Sequence, residues 1–405
     1  MDKVCNELRK EIFEGLEFKG EISDEKLEEI IAQKISDRSR NEYISLSDRV
    51  KLGKKILHSM RRLDILQDLV DDSEITEIMI NGPDNIFVEK RGQLTKINKR
   101  FESEQRLRDI IQQIVAGCNR VVNDSSPIVD ARLKNGSRVN VVLNPVALNG
   151  PIMTIRRFPD SPFTMKQLIG IGSLTEEVAE VLKKMVIAGY NIIVSGGTGS
   201  GKTTFLNALS AYIPSDERII TIEDSAELQI QGIDNLVRLE TKNANTEGCN
   251  EITIRDLIKT SLRMRPNRIV VGEVRGKEAM DMICSAMNCG HDGSMSTVHA
   301  NSAKDTIARL ETMILMAVDL PVTAIRRQIC SGVDIIIHLG RMRDRSRRVL
   351  EINELDRYEN GDVIMNELYS FEEDEYSTMT NVSGSLRKVG DLIHDEKLRA
   401  AGIKL

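Results

Sequence analysis

Residues Ser195 to Thr204 read SGGTGSGKTT: four glycines, one lysine and five hydroxyl residues in ten positions. The apolar run "NIIV" precedes them and the helix formers "FLNAL" follow. Gly196-x-x-x-x-Gly201-Lys202-Thr203 is the complete phosphate-binding loop pattern. Glycines let the backbone approach an anion without side-chain clashes, and successive N–H groups then form a cradle. A helix starting near Lys202 points the positive end of its dipole at the same place. The candidate cradle is Gly196, Gly197, Thr198, Gly199, Ser200, Gly201, Lys202, Thr203 and Thr204. Lys202 is placed to bring a point charge to the β and γ phosphates, and the Thr203 hydroxyl is the candidate Mg²⁺ ligand. A dinucleotide site fits worse, because it has no use for a lysine directly after the last glycine. A nucleoside triphosphate is the expected ligand.

Three further stretches carry chemistry. "RIITIEDSAEL" is an apolar strand that runs into Glu223, Asp224 and, one turn on, Glu227. Carboxylates at the end of a parallel strand stand where such sheets bind ligands. "RIVVGEVRG" places Glu273, then Arg275, after a second apolar strand, and such a strand commonly carries an acid to Mg²⁺. Here the acid is Glu behind a Gly, where Asp directly after the run is usual. "GSMSTVHAN" is a third strand, closing on His299, whose imidazole is placed to sense a γ-phosphate. Acids after strands are often no more than loop starts, and a lone His is often structural. Their order behind a phosphate loop favours function.

These residues need a framework. Strands alternating with helices from about 166 to 355 predict a parallel sheet with helical crossovers. "NIIV" and "RIVV" are almost wholly apolar, as strands covered on both faces are. Before that core, residues 71–158 alternate strand and turn signals around one helix, "EQRLRDIIQQIVAGCNR", and read as an α+β module. Residues 1–70 read as helices, with Val50, Ile56, Leu57, Met60, Leu63 and Leu66 at helical spacing. "PDSPFTM" at 159–165 reads as a linker. Residues 356–405 read as a polar tail, with "FEEDEYST" loose on the surface.

Composition narrows the classes. A net charge of −6 and 3% aromatic residues advertise neither a basic groove nor stacking rings, so no nucleic acid is expected as partner. The six cysteines show no zinc-ligand spacing, and no metal cluster is expected. No run approaches the roughly 20 apolar residues of a membrane span, and the charged start "MDKVCNELRKEIFEG" is no secretory signal. A cytoplasmic protein is the expectation. The five-arginine run "GRMRDRSRRV" at 340–349 reads as a solvated hairpin tip ahead of a docking surface for an acidic partner.

Together, "NGPDNIFVEKRGQL", "GTGSGKTT", "IEDSAEL", "RPNRIVVGEVRG" and "STVHANSAKDTIARLETM" resemble the ATPases of type II and type IV secretion and of pilus machines. Within these they look most like the CpaF-like ATPases of tight-adherence (Tad/Flp) pili, over about 70 to 355. The resemblance implies an α/β fold: a RecA-like ATPase core, a preceding PAS-like α+β domain and an N-terminal helical segment. It implies ATP and Mg²⁺ as cofactors, with Thr203 and Glu273 serving the metal. Glu223, Asp224 and Glu227 take the place of the family's Asp box, Glu273 of its Walker B acid and His299 of its His box. Arginines before the core reach the nucleotide in that family; the candidates are Arg138 in "GSRVNVV" and Arg156 and Arg157 in "TIRRF". Arg156 and Arg157 point to opposite faces of a strand, so at most one reaches in. The implied assembly is a homohexamer at the cytoplasmic membrane, pushing on an inner-membrane platform protein to extend, or also retract, a pilus. A RecA-like DNA translocase or helicase is the rival reading, and a nucleotide-binding scaffold without turnover a weaker one.

Overall fold

The computed structural model describes residues 2–16, 22–90, 92–118, 120–157, 162–242 and 251–405. They fall into two compact units, Met1–Asp160 and Ser161–Leu405.

The first unit opens with helices Asp2–Leu16, Asp24–Arg38 and Leu46–Arg61. Ser23 and Ser45 cap the second and third by accepting the N–H three residues on. Leu8, Ile12, Leu27, Ile31, Ile35, Leu52 and Ile56 form their shared core. Val50, expected on the apolar stripe, is exposed. The third helix stops at Arg61, because Asp64 adopts a left-handed φ of 53° that no helix continues through. Six strands follow: β1 (Ile75–Asn81), β2 (Ile86–Lys90), β3 (Gln93–Lys96), β4 (Ile128–Arg132), β5 (Arg138–Val142) and β6 (Ile152–Arg156). They form one antiparallel sheet in the order β3-β2-β1-β6-β5-β4. The helix Glu104–Ala116 shares its core through Leu107, Ile110, Ile111 and Ile114.

The second unit is built on nine strands: β7 (Ile192–Gly196), β8 (Ile219–Glu223), β9 (Leu236–Glu240), β10 (Arg268–Val274), β11 (Met295–Val298), β12 (Ile335–Arg341), β13 (Arg347–Glu359), β14 (Asp362–Glu373) and β15 (Gly384–Lys388). Their order is β15-β14-β13-β12-β7-β11-β10-β8-β9. The pairings from β12 to β9 are parallel and those from β12 to β15 antiparallel. β11 therefore separates β7 from β10. Ile192 and Val194 of β7 enter one apolar cluster with the helices Glu176–Ile187 and Lys202–Ser210. Ile193 enters another with Ile254–Ser261, Ala303–Leu315 and Val322–Gly332. Covering both faces is why the strands read as continuous apolar runs.

The supposed tail is a correction. β14, β15 and the helix Glu396–Ala400 occupy 362–400, and Leu368, Tyr369, Leu386 and Leu398 are buried in the same cluster as β7. An edge hairpin with one wet face needs few apolar residues, so its composition resembles that of a loose tail. Even "FEEDEYST" begins in β14, where Glu373 pairs with Arg343 through both carboxylate oxygens. Residues 158–161, and with them the first part of the expected linker, lie outside the described residues. Thr164, in its last part, caps the helix Met165–Gly170.

Candidate phosphate-binding site

β7 ends at Gly196 and the helix Lys202–Ser210 starts six residues later. A Cβ on Gly196 would stand 2.4 Å from the Leu339 carbonyl oxygen and 2.6 Å from Ser200 Oγ, with φ at +153°. Only glycine fits there. Gly197, Thr198 and Gly199 form the exposed crest, while Ser200 is buried and its Oγ donates to the Gly197 carbonyl at 2.9 Å. Thr203 and Thr204 follow on the first helical turn, half-buried.

The Lys202 side chain is buried and folds back over the loop. Its Nζ donates to the carbonyls of Gly196 and Gly197, each at 3.0 Å, and lies 3.3 Å from His299 Nδ1. His299 Nε2 in turn approaches Glu273 Oε1 at 2.6 Å, a close contact without an aligned hydrogen bond. Arg275 donates to the other oxygen of Glu273 at 2.5 Å. Four side chains from the loop, from β10 with the residue after it, and from the end of β11 thus make one row. Burial, and then the Lys202 ammonium, holds the His299 imidazole below its ordinary pKa, with Glu273 opposing.

Glu223, the last residue of β8, is 3% exposed. Its Oε1 accepts the N–H groups of Glu227 and Leu228, each at 2.8 Å, which folds the acidic turn over it. Its Oε2 is buried without a hydrogen-bond partner among the described residues. Burial pushes this carboxyl up to about 7 against the pull of those two N–H groups. A Cβ on Gly272 would come within 2.9 Å of Glu223 Cγ, so the glycine preceding Glu273 is what admits Glu223. Asp224 is exposed, and Glu227 is half-buried beside it.

In the first unit, Arg138 and Arg156 are direct cross-strand partners on β5 and β6. Their strand neighbours Val139 and Ile155 are buried, so the two arginines share the opposite face. Arg138 lies 3.7 Å from Asp130. Arg157 is turned elsewhere: its guanidinium donates to the Asp72 carbonyl.

Sequence reasoning missed His338. It stands on β12 in register with Ser195, is buried, and its Nδ1 meets Ser195 Oγ at 2.9 Å. The ring also bonds the Asn301 backbone, two residues beyond His299. Cross-strand from it, Glu351 accepts the Ala303 N–H at 2.7 Å. A lone histidine inside "IIIHLG" was the available signal.

A family model described as Type II/IV secretion system protein matches residues 60–383. The chain is 35% identical over 294 residues to a putative conjugal transfer protein of Mycobacterium tuberculosis, covering 71% of this chain and 83% of that one. It is 32% identical over 304 residues to the type IV secretion system protein VirB11 of Brucella suis, covering 68% and 84%. Among solved structures, the pilus retraction motor PilT with bound ADP matches at a TM-score of 0.52 and 19% identity, over 84% of this chain and 86% of that one. The ATPase DotB of Legionella pneumophila matches at 0.51 and 22%, over 72% and 80%. At those identities the likeness to solved structures is one of fold.

Proposed function

The chain belongs to the type II/IV secretion system protein family and is an ATP hydrolase, and we propose that it works as a Mg²⁺-dependent ring motor, of six copies, for a Tad-like pilus or a related secretion machine. The row Lys202–His299–Glu273, set over the glycine loop, is the observation that carries the reading. On ATP binding, Lys202 leaves the two loop carbonyls for the β and γ phosphates, and the loop N–H groups complete the cradle. His299, freed from the ammonium, reports the γ-phosphate to Glu273. Glu223, Asp224 and Glu227 border the place of water attack.

Mg²⁺ is bound by one or two carboxylates together with phosphates and water, so it needs no dedicated protein cage. The donors present fit it: the Thr203 hydroxyl on the first helical turn, the Glu273 carboxylate at the strand end, and the buried Glu223 Oε2 nearby. When bound, the ion would neutralise charge on the β and γ phosphates. The protein's own share is positioning of phosphates and water.

A relative named for type IV secretion, and an acidic chain, support a protein-moving motor acting on a membrane platform protein over a nucleic-acid motor. Among the described residues no helix is long and apolar enough to cross a membrane, so the membrane contact is proposed to run through that partner. Lys202→Ala tests the site. Losing a charge-assisted phosphate contact costs about 1.5–3 kcal/mol in binding and more in the transition state. ATP turnover of the folded variant should vanish, and normal turnover would refute the assignment. Addition of DNA should leave wild-type turnover unchanged.

A further inference from the structure

The arginine run 340–349 forms the hairpin between β12 and β13. β12 runs parallel to β7 with Leu339 level with Gly196, so the chain leaving β12 passes alongside the phosphate loop. Some of its arginines are already engaged. Arg343 grips Glu373 with two contacts of 2.6 Å, and Arg348 donates to the Gly172 and Val382 carbonyls. Arg341 and Arg347 differ. They are direct cross-strand partners, both exposed, and among the described residues neither has a carboxylate partner. Arg347 Nε donates to the Gly199 carbonyl at 2.8 Å, and its Cδ lies 3.4 Å from where a Cβ of Gly201 would stand. Arg341 Nη1 lies 3.7 Å from the corresponding point on Gly199. Two guanidiniums without acids therefore flank the crest of the loop.

The two flanks of β7 are chemically unlike. On one side β11, β10 and β8 bring up His299, Glu273 and Glu223; on the other stands the β12–β13 hairpin. The terminal phosphate and its metal belong on the acidic flank, so the nucleoside end of the ligand emerges on the hairpin flank. We propose that Arg341 and Arg347 form the wall that receives this end, stacking on the base. The inference rests on the nucleotide reading above and deepens it. Guanidinium is suited to such a wall, being planar, weakly hydrated, permanently charged and able to stack on π-faces. Arg347 spends only its Nε on the loop, which leaves both terminal nitrogens for a ligand.

The test is equilibrium binding of ADP and of inorganic tripolyphosphate to the full chain by titration calorimetry. Tripolyphosphate has the phosphates and lacks the nucleoside. Arg341→Ala and Arg347→Ala should each weaken ADP about tenfold while changing tripolyphosphate by less than about twofold. Arg343→Ala, whose guanidinium is held by Glu373, should change neither, and Arg341→Lys should recover only part of the ADP affinity. ADP affinity within about twofold of wild type in Arg341→Ala overturns the inference, as does an equal loss for both ligands, which marks a general charge effect. Arg341 is exposed and pairs with no acid among the described residues, so its variant carries the test even where Arg347→Ala unfolds. If Lys202→Ala leaves ADP binding intact, the nucleotide reading itself has failed, and that outcome is separate from the others.

Discussion

Glu223 and Glu273 end neighbouring strands yet live in different surroundings. Glu273 is held between a histidine and an arginine, whereas Glu223 is buried against Gly272 and two backbone N–H groups. Its carboxyl, pushed to about 7, holds a proton in the native state that the unfolded chain releases near 4.5. Native protein then binds more protons across that window, so this contribution to stability is full below pH 4.5 and is lost as pH rises through 7. At about 1.4 kcal/mol per tenfold displacement, the whole effect is on the order of 3–4 kcal/mol at its upper bound. Activity runs the other way where ionised Glu223 polarises the attacking water: turnover should rise through pH 7. Glu223→Gln should flatten that rise, lower turnover about 10²-fold and melt later than wild type at pH 8. A pH profile that keeps its inflection in the variant would assign the titration to another group. Glu273→Gln should bind ATP and hydrolyse it about 10²–10³-fold more slowly, as read by binding and turnover on one preparation.

At the scale of elements, the site depends on β7, β11 and β12 holding their ends level. His338 fixes this from within the sheet, joining Ser195 at the start of the loop to Asn301 beyond His299. His338→Leu would leave the buried Ser195 hydroxyl without its partner, a cost of about 1–3 kcal/mol. Ser195→Ala added to it should cost less than the two single losses summed, because the hydroxyl no longer lacks a partner. Denaturant titration of the four proteins measures this, and strict additivity would dissolve the network. Such a link joins strands far apart in sequence, which is why it was illegible in the chain. The loop itself was legible because its chemistry is local, six residues from Gly196 to Gly201 and then a lysine. Glu223, Glu273 and His299 were legible by their place after apolar runs. Gly272 was not, since its reason is a side chain on the next strand. The hairpins after 355 were missed because half-wet edge strands lack the continuous apolar run that marked β7 and β10.

At the scale of the whole molecule, the ring proposed above would turn hydrolysis into movement if arginines of the first unit reached the nucleotide. Arg138 and Arg156 are suited to that role, because they stand side by side on one face of the six-stranded sheet. Arg157 is the least suited of the three, its guanidinium being engaged with the Asp72 carbonyl. Asp130 lies 3.7 Å from Arg138 and Glu77 is the cross-strand neighbour of Arg156, so an approaching phosphate would have to compete with acids on the same sheet. An arginine supplied in this way is worth about 10³–10⁵ in rate in other phosphoryl-transfer proteins. Hydrolysis would then remove the charge that held it and so supply a mechanical stroke. Specific activity should rise with protein concentration and level off as rings assemble, as followed by turnover and sizing on the same samples. Arg138→Ala with Arg156→Ala should cut turnover about 10³-fold while nucleotide binding and assembly persist. Arg157→Ala should instead lower stability, since it removes the donor to the Asp72 carbonyl, with turnover of the folded fraction near wild type. Near-normal turnover of the Arg138/Arg156 double variant in an intact ring would remove this sheet face from the mechanism. A rate loss confined to Arg157→Ala would show that the stroke depends on the anchoring of β6 to Asp72, and that the paired arginines are bystanders.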